Sequence, residues 1–241
     1  MKIERWEDYQ TFFQLIILRY LIVWFSLVPV IAALVSQLPD PLPISLSGVQ
    51  HEIELKLPFH WQLLWISSLF FVLALGVYKV YCPKFIHKYN NFSDYCSYKH
   101  HPRWLVWEAH GLLKIANKKQ KKKLRDRLLT KKYLFQINQD TDSELCDEPI
   151  VEEKQTEITF KVDGKSYKFG MPITENDTAN ESEKDIFYEI FGRYSESRWW
   201  ARLFIKILLC ISLVLFLIVL GQHICSGGAF VWDWATGLFN S

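Results

Sequence analysis

Cys96, His100, His101 and His110 form the one stretch of this sequence where thiol and imidazole groups crowd closely enough to raise the question of a metal centre. Structural zinc modules draw ligands in pairs separated by about two to five residues, so that both members of a pair reach one ion. The spacing here follows no such module, and adjacent residues such as His100 and His101 point apart in most backbone conformations. The segment therefore reads as a polar loop, with no metal expected. Patterns that cradle phosphates or build hydrolytic nucleophiles are also missing: G-x-x-x-x-G-K-[ST], G-x-G-x-x-G, G-x-S-x-G and H-E-x-x-H do not occur. The expectation is a protein with no catalytic residues and no cofactor, an enzyme acting on lipid being the least favoured class.

Covalent chemistry is equally sparse. Five cysteines, at 82, 96, 146, 210 and 225, contain no C-x-x-C pair, and two fall in or beside apolar segments, which argues against a disulfide framework. Asn91-Phe-Ser, Asn176-Asp-Thr and Asn180-Glu-Ser match the glycosylation acceptor pattern. The orientation derived below puts all three in the cytosol, so they read as chance matches.

The elements that position these residues are dominated by apolar blocks. Half of the 241 residues are hydrophobic, and they concentrate in Tyr20–Leu38, Trp61–Val80 and Leu203–Ile224. A helix needs about 20 mostly apolar residues to cross a hydrocarbon layer of roughly 30 Å. All three blocks meet that length, which predicts an α-helical integral membrane protein with three transmembrane helices. A cleaved leader is a poor reading of the first block, because no small-x-small site follows Val35 and prolines flank Asp40. Pro29 is expected to kink this helix by removing a backbone donor.

Charge sets the orientation. Between Lys84 and Tyr133 there are fourteen Lys or Arg against Asp94, Glu108 and Asp126, a net of +11, whereas the stretch from Pro39 to His60 holds one base and the tail after Ile224 holds none. Positive charge beside a span is retained on the cytoplasmic side. The expected arrangement is a cytosolic N-terminus with the first span (1–38), an extracytoplasmic loop (39–60), a second span (61–82), a small α+β cytosolic domain (83–200), a third span (201–224) and an extracytoplasmic tail (225–241). Arg19, Lys79, Arg202 and Lys206 each fall near a cytosolic end, where a long side chain snorkels to the headgroups.

Within the cytosolic domain, Trp104 to Leu134 reads as one long basic helix. Its cations Lys118, Lys119, Lys121, Lys122, Lys123, Arg125 and Arg127 are candidates for contact with anionic lipid or another anionic partner. Nucleic acid is the weaker alternative, because no aromatic residues are interleaved for stacking. Asp140 to Glu157 reads as an acidic linker and Thr174 to Glu183 as a second one. Between them, Glu157–Val162, Asp163-Gly164 and Lys165–Phe169 spell a β-hairpin, because apolar residues alternate on both arms and Asp-Gly supplies two positive-φ positions. Asp185–Gly192 reads as a short amphipathic helix. Its stripe is expected to pack on the hairpin, with Phe160, Tyr167, Phe169, Phe187 and Phe191 as candidate partner-binding residues. The loop from Val49 to Leu57 alternates apolar and polar residues and suits strand addition to a neighbouring copy.

Together these features suggest a bacterial-type inner-membrane protein without catalytic activity. Its cytosolic module senses or binds a partner protein, and its spans, gathered as a homo-oligomer, act on the lipid bilayer as membrane effectors of antiviral defence do. The other class considered is a membrane-anchored interaction, immunity or exclusion protein.

Overall fold

The computed structural model describes residues 5–35, 37–38, 42–46, 49–53, 60–137, 148–172 and 177–239. It is mostly helical with a small antiparallel sheet. The chain divides into two compact units, one comprising Met1–Gln10 and Tyr81–Trp199, the other Thr11–Val80 and Trp200–Ser241.

The second unit holds the apolar helices: α2 (Ile16–Val35), α3 (Trp61–Tyr81) and the greater part of α9 (Trp199–Phe239), preceded by the end of α1 (Trp6–Phe13). Two helices, α3 and the Trp199–Trp232 stretch of α9, are long and apolar enough to cross a membrane. Buried core helices of water-soluble proteins are also apolar, but these two keep only 33% and 22% of their most apolar windows inside the protein. Leu73, Leu213, Val214 and Leu217 are all more than half exposed. Contiguous aliphatic surface of this kind is costly in water and costless in hydrocarbon.

Where α3 and α9 do meet, a polar contact joins them. Ser67 Oγ donates to the Ser212 carbonyl at 2.8 Å and Ser212 Oγ returns a bond to the Ser67 carbonyl at 2.9 Å. Both residues are buried, and such interhelical bonds contribute about 0.6–2 kcal/mol in apolar surroundings. Phe13 packs on Phe71 and Tyr78 with ring centroids 6.0 and 4.9 Å apart. Residues Leu42–Leu46 (β1) and Val49–Ile53 (β2) pair antiparallel with each other. The alternating segment thus finds a partner strand within its own chain, while residues 54–57 lie outside the described residues. The helix α9 also continues through 225–239, the stretch expected as the extracytoplasmic tail.

The first unit places a sheet on one side of a helical layer. Its elements are α4 (Lys84–Lys88), α5 (Phe92–Ser97), α6 (Trp104–Ile115), α7 (Lys118–Thr130), β3 (Leu134–Ile137), β4 (Ile150–Val151), β5 (Gln155–Val162), β6 (Lys165–Pro172) and α8 (Asp177–Ser195). The strands run antiparallel in the order β3-β6-β5-β4. The hairpin forms as expected, with Asp163 and Gly164 at φ 52° and 76°, both in the left-handed region a tight turn requires. Ile158 lies opposite Phe169 and Phe160 opposite Tyr167, and all four are buried.

Four expectations change. The single basic helix is two, α6 and α7, because the chain turns extended at Ala116 and Asn117 then caps the next helix. Gln120 N–H donates to Asn117 Oδ1 at 2.9 Å, and Asn117 N–H to Gln120 Oε1 at 3.2 Å, a reciprocal capping box. The second acidic linker is helical from Asp177 onward, as the start of α8. The first acidic linker lies outside the described residues from 138 to 147, and beyond it Ile150 and Val151 pair with β5. Finally, the sheet rests on α6 and α7, whereas α8 packs against α4, α5, α6 and α7.

Gly111 on α6 shows how tightly that layer is built. A Cβ at this position would lie 2.9 Å from the Tyr194 hydroxyl, which itself donates to the Glu108 carbonyl at 3.0 Å. A rigid ring cannot yield as a flexible chain tip would. Gly111→Ala is therefore expected to destabilise the unit by about 1–3 kcal/mol through overpacking, despite alanine's better helix propensity. Chemical denaturation with intrinsic fluorescence would measure this, and an unchanged or raised midpoint would contradict it.

Candidate functional site

The cations of α7 sort into two groups by their surroundings. Lys118, Lys119 and Lys122 are exposed and Lys121 is half-buried, and among the described residues none of these four forms an ion pair. The other three are engaged within the unit. Lys123 lies 3.5 Å from Glu196. Arg127 lies 3.7 Å from Glu189, which also takes Lys131 at 3.2 Å. Arg125 is buried: its Nη2 meets Asp126 and its Nη1 meets Asp163 of the hairpin turn, each at 2.7 Å. Arg125 thus ties α7 to the sheet, and the cationic face that remains is Lys118 to Lys122.

That face sits at the start of a helix, where the backbone dipole already presents partial positive charge. Lys118 and Lys119, in the first turn, are each disfavoured by about 0.3–1 kcal/mol, and an anion opposite them removes the penalty. The capping box of Asn117 and Gln120 holds the helix start in place despite this repulsion.

The five aromatic residues considered for partner binding lie in the interior. Phe160, Tyr167 and Phe169 face α6 and α7 from the sheet, and Phe187 and Phe191 project from α8 into a ring cluster. Phe187 has ring neighbours Phe85 at 5.2 Å, Tyr95 at 5.3 Å, Phe92 at 5.5 Å and Phe191 at 5.6 Å. Exposed aromatic rings belong to other residues, notably Tyr98, Trp104 and Trp107.

The Cys96 and histidine group is dispersed. His110 is buried on α6, and Cys96 is exposed on α5. His100 stacks on Tyr98 at 5.6 Å and lies 3.1 Å from the Lys88 ammonium; burial first, and then the Lys88 charge, holds the imidazole below its ordinary value. Among the described residues, no three His, Cys, Asp or Glu side chains gather into a metal-binding group. Of the sequon residues, Asn91 serves as the N-cap of α5, accepting from Asp94 N–H at 2.9 Å.

A feature with no sequence signature appears where the chain passes between its two units, near residues 10, 81 and 199. Trp6 is fully buried and its Nε1–H donates to the Ser197 carbonyl at 2.9 Å. Arg5 reaches Glu196 at 3.4 Å, and Glu196 also receives Lys123 and Arg193. Arg198, with φ 48°, donates from Nη1 to the Tyr81 carbonyl at 2.9 Å. All three passages of the chain are thereby fastened within the first unit, with a cation of α7 in the same network. We call this arrangement the clasp.

No family model, curated protein or solved structure matches this chain. The functional reading thus rests on the clasp, the exposed lysines and the apolar helices.

One titrating group lies in this layer. Glu108 on α6 is half-buried, and burial pushes its carboxyl up to about 7, against the opposing pull of Lys88. The folded value exceeds the unfolded one, so the associated stability is present below the ordinary carboxyl range and lost as pH rises through about 7. Glu108→Gln should remove this dependence. Unfolding of both forms measured from about pH 5 to about pH 8 is expected to show the wild type losing ground to the variant, and parallel curves would refute the assignment.

Proposed function

We propose that the chain is a non-enzymatic protein of a bacterial-type inner membrane, with α2, α3 and α9 as three spans, the N-terminus inside and the first unit in the cytosol. In this reading the first unit binds a partner or signal. The spans of several copies then act together on the bilayer, in the manner of an antiviral-defence membrane effector. The excess of positive charge between Lys84 and Tyr133 supports the orientation. The length and apolar character of α2, 20 residues from Ile16 to Val35, support its inclusion as a third span.

The observation that carries the proposal is the clasp. Trp6–Ser197, Arg5–Glu196 and Arg198–Tyr81 bind together the segments that lead into α2, out of α3 and into α9. A change in the first unit that loosens one of them therefore reaches every apolar helix through the covalent chain. Lys123 shares Glu196 with Arg5 and Arg193, so an anionic partner on α7 competes directly for the same network.

Two measurements test this. A reporter fused after Tyr133 should read as cytosolic; an exterior reading overturns the orientation. Inducible expression with a membrane-potential dye, with and without the genomic neighbours, should show depolarisation and arrested growth. If neither occurs and the protein co-purifies in fixed ratio with a different polypeptide, the anchored interaction protein becomes the better account.

A further inference from the structure

The inward side of α6 is an ordinary core face, with Leu105, Val106, Ala109, Leu112 and Leu113 buried. Its outward side is not the polar face that a surface helix normally shows. Trp104 is 47% exposed, Trp107 41% and Ile115 37%, and Lys114 is the one exposed charge among them. Trp104 and Trp107, three residues apart, form a short aromatic stripe; beyond it Gly111 lies under the Tyr194 hydroxyl, and Ile115 is exposed again at the end of the helix. At its N-terminal end the stripe continues off the helix: Trp104 neighbours His100 at 5.5 Å, which stacks on the half-exposed Tyr98, which in turn lies under the Lys88 ammonium at 4.4 Å.

Charge frames the stripe at both ends. From Lys84 to Lys123 the sequence holds ten Lys or Arg against Asp94 and Glu108 alone. Lys88, Lys99 and Arg103 lie at the beginning, and Lys114, Lys118 and Lys119 at the end. Indole rings prefer the boundary between headgroups and acyl chains, and lysines favour the anionic phosphates beside it. The stripe begins 23 residues after Tyr81, the last residue of α3.

We propose that the outward face of α6, from Trp104 through Trp107 to Ile115, lies on the headgroup layer of an anionic phospholipid bilayer, parallel to its surface. This inference depends on α3 and α9 crossing that bilayer, as read above. It assigns lipid contact to a helix face not selected for that role by the lysine run alone. Nucleic acid is less well matched, because these rings share a helix with an exposed isoleucine instead of forming a flat stacking platform.

The test uses the full chain in nanodiscs of phosphatidylcholine, with or without phosphatidylglycerol. Nitroxide labels are placed one at a time through Trp107→Cys, Leu73→Cys on α3 and Lys165→Cys on the hairpin turn, in a background with the native cysteines replaced by serine. Collision with oxygen and with a water-soluble nickel chelate is then compared. The expected result is a several-fold rise in the oxygen-to-nickel ratio at 107 when phosphatidylglycerol is present, a high ratio at 73 throughout and a low ratio at 165. Hydrogen exchange on the unsubstituted chain supplies a second reading, with slower exchange across 104–115 in the anionic discs.

An aqueous signal at 107 in both lipids, with 73 in hydrocarbon, overturns the α6 contact and leaves the spans standing. An aqueous signal at 73 overturns both. Protection of α6 only on adding an oligonucleotide overturns the lipid assignment in favour of nucleic acid.

Discussion

Replacing Phe187 with alanine is expected to unfold much of the first unit at temperatures where the wild type remains intact. The ring is fully buried, with Phe85, Tyr89, Phe92, Tyr95 and Phe191 around it. Removing such a side chain costs about 3–5 kcal/mol, counting both lost transfer energy and the cavity left behind. Domains of this size are stable by only about 5–15 kcal/mol in total. Surrounding rings are rigid and cannot collapse into the space, which favours the upper part of the range. Thermal unfolding of the detergent-solubilised protein, followed by near-ultraviolet dichroism, should show the loss. Phe187→Leu, which keeps most of the volume, should cost clearly less. A midpoint unmoved by the alanine substitution would mean that the ring cluster is not the core of this unit.

Trp6→Ala is the second large effect, and it bears on mechanism. The substitution removes a fully buried indole and its hydrogen bond, leaving the Ser197 carbonyl without that donor. The expected cost is about 3–5 kcal/mol for the packing, with about 1–3 kcal/mol more if the carbonyl stays buried and unsatisfied. The neighbouring ion pairs are smaller matters. Arg5 and Lys123 are each nearly half exposed and stand 3.4 and 3.5 Å from Glu196, and pairs of that kind contribute about 0.2–1 kcal/mol each. Trp6→Ala should therefore release residues 5–10 to rapid hydrogen exchange and abolish any membrane activity, while Glu196→Gln should do so only weakly. Equal effects of the two substitutions would show that charge, not the buried indole, fastens the N-terminal helix.

Much of this organisation is legible from local sequence. The apolar blocks announce α2, α3 and α9, since twenty or so mostly apolar residues with a cation only near one end leave few alternatives. The hairpin is equally plain, because Asp163-Gly164 selects a turn type and the alternation on each side fixes the register. The break between α6 and α7 was encoded too, in Asn117 and Gln120, but the leucines on either side keep near-helical spacing and mask it. Ile150 and Val151 lie in an acidic setting that gives no sign of pairing with β5. The N-terminal part of α8 is polar enough to resemble a linker, and its helicity follows from continuity with the buried stripe at Ile186, Phe187 and Ile190.

The clasp lies beyond any such reading. Trp6 and Ser197 are 191 positions apart, and nothing near either residue names the other. The same holds for Arg125 and Asp163, 38 positions apart, whose pairing turns a cation of the basic run into an internal cross-link. Local patterns specify elements; which side chains an element spends on its own packing emerges only in three dimensions.

The uncharged run of α9, from Ile207 to Trp232, is about 39 Å long at the usual helical rise. The hydrocarbon layer is roughly 30 Å thick, so a span placed as proposed needs a tilt of about 40° to fit it. On the proposed reading, membrane thickness would set the tilt of α9. Long-chain lipids would then favour a more upright helix and short-chain lipids a more inclined one.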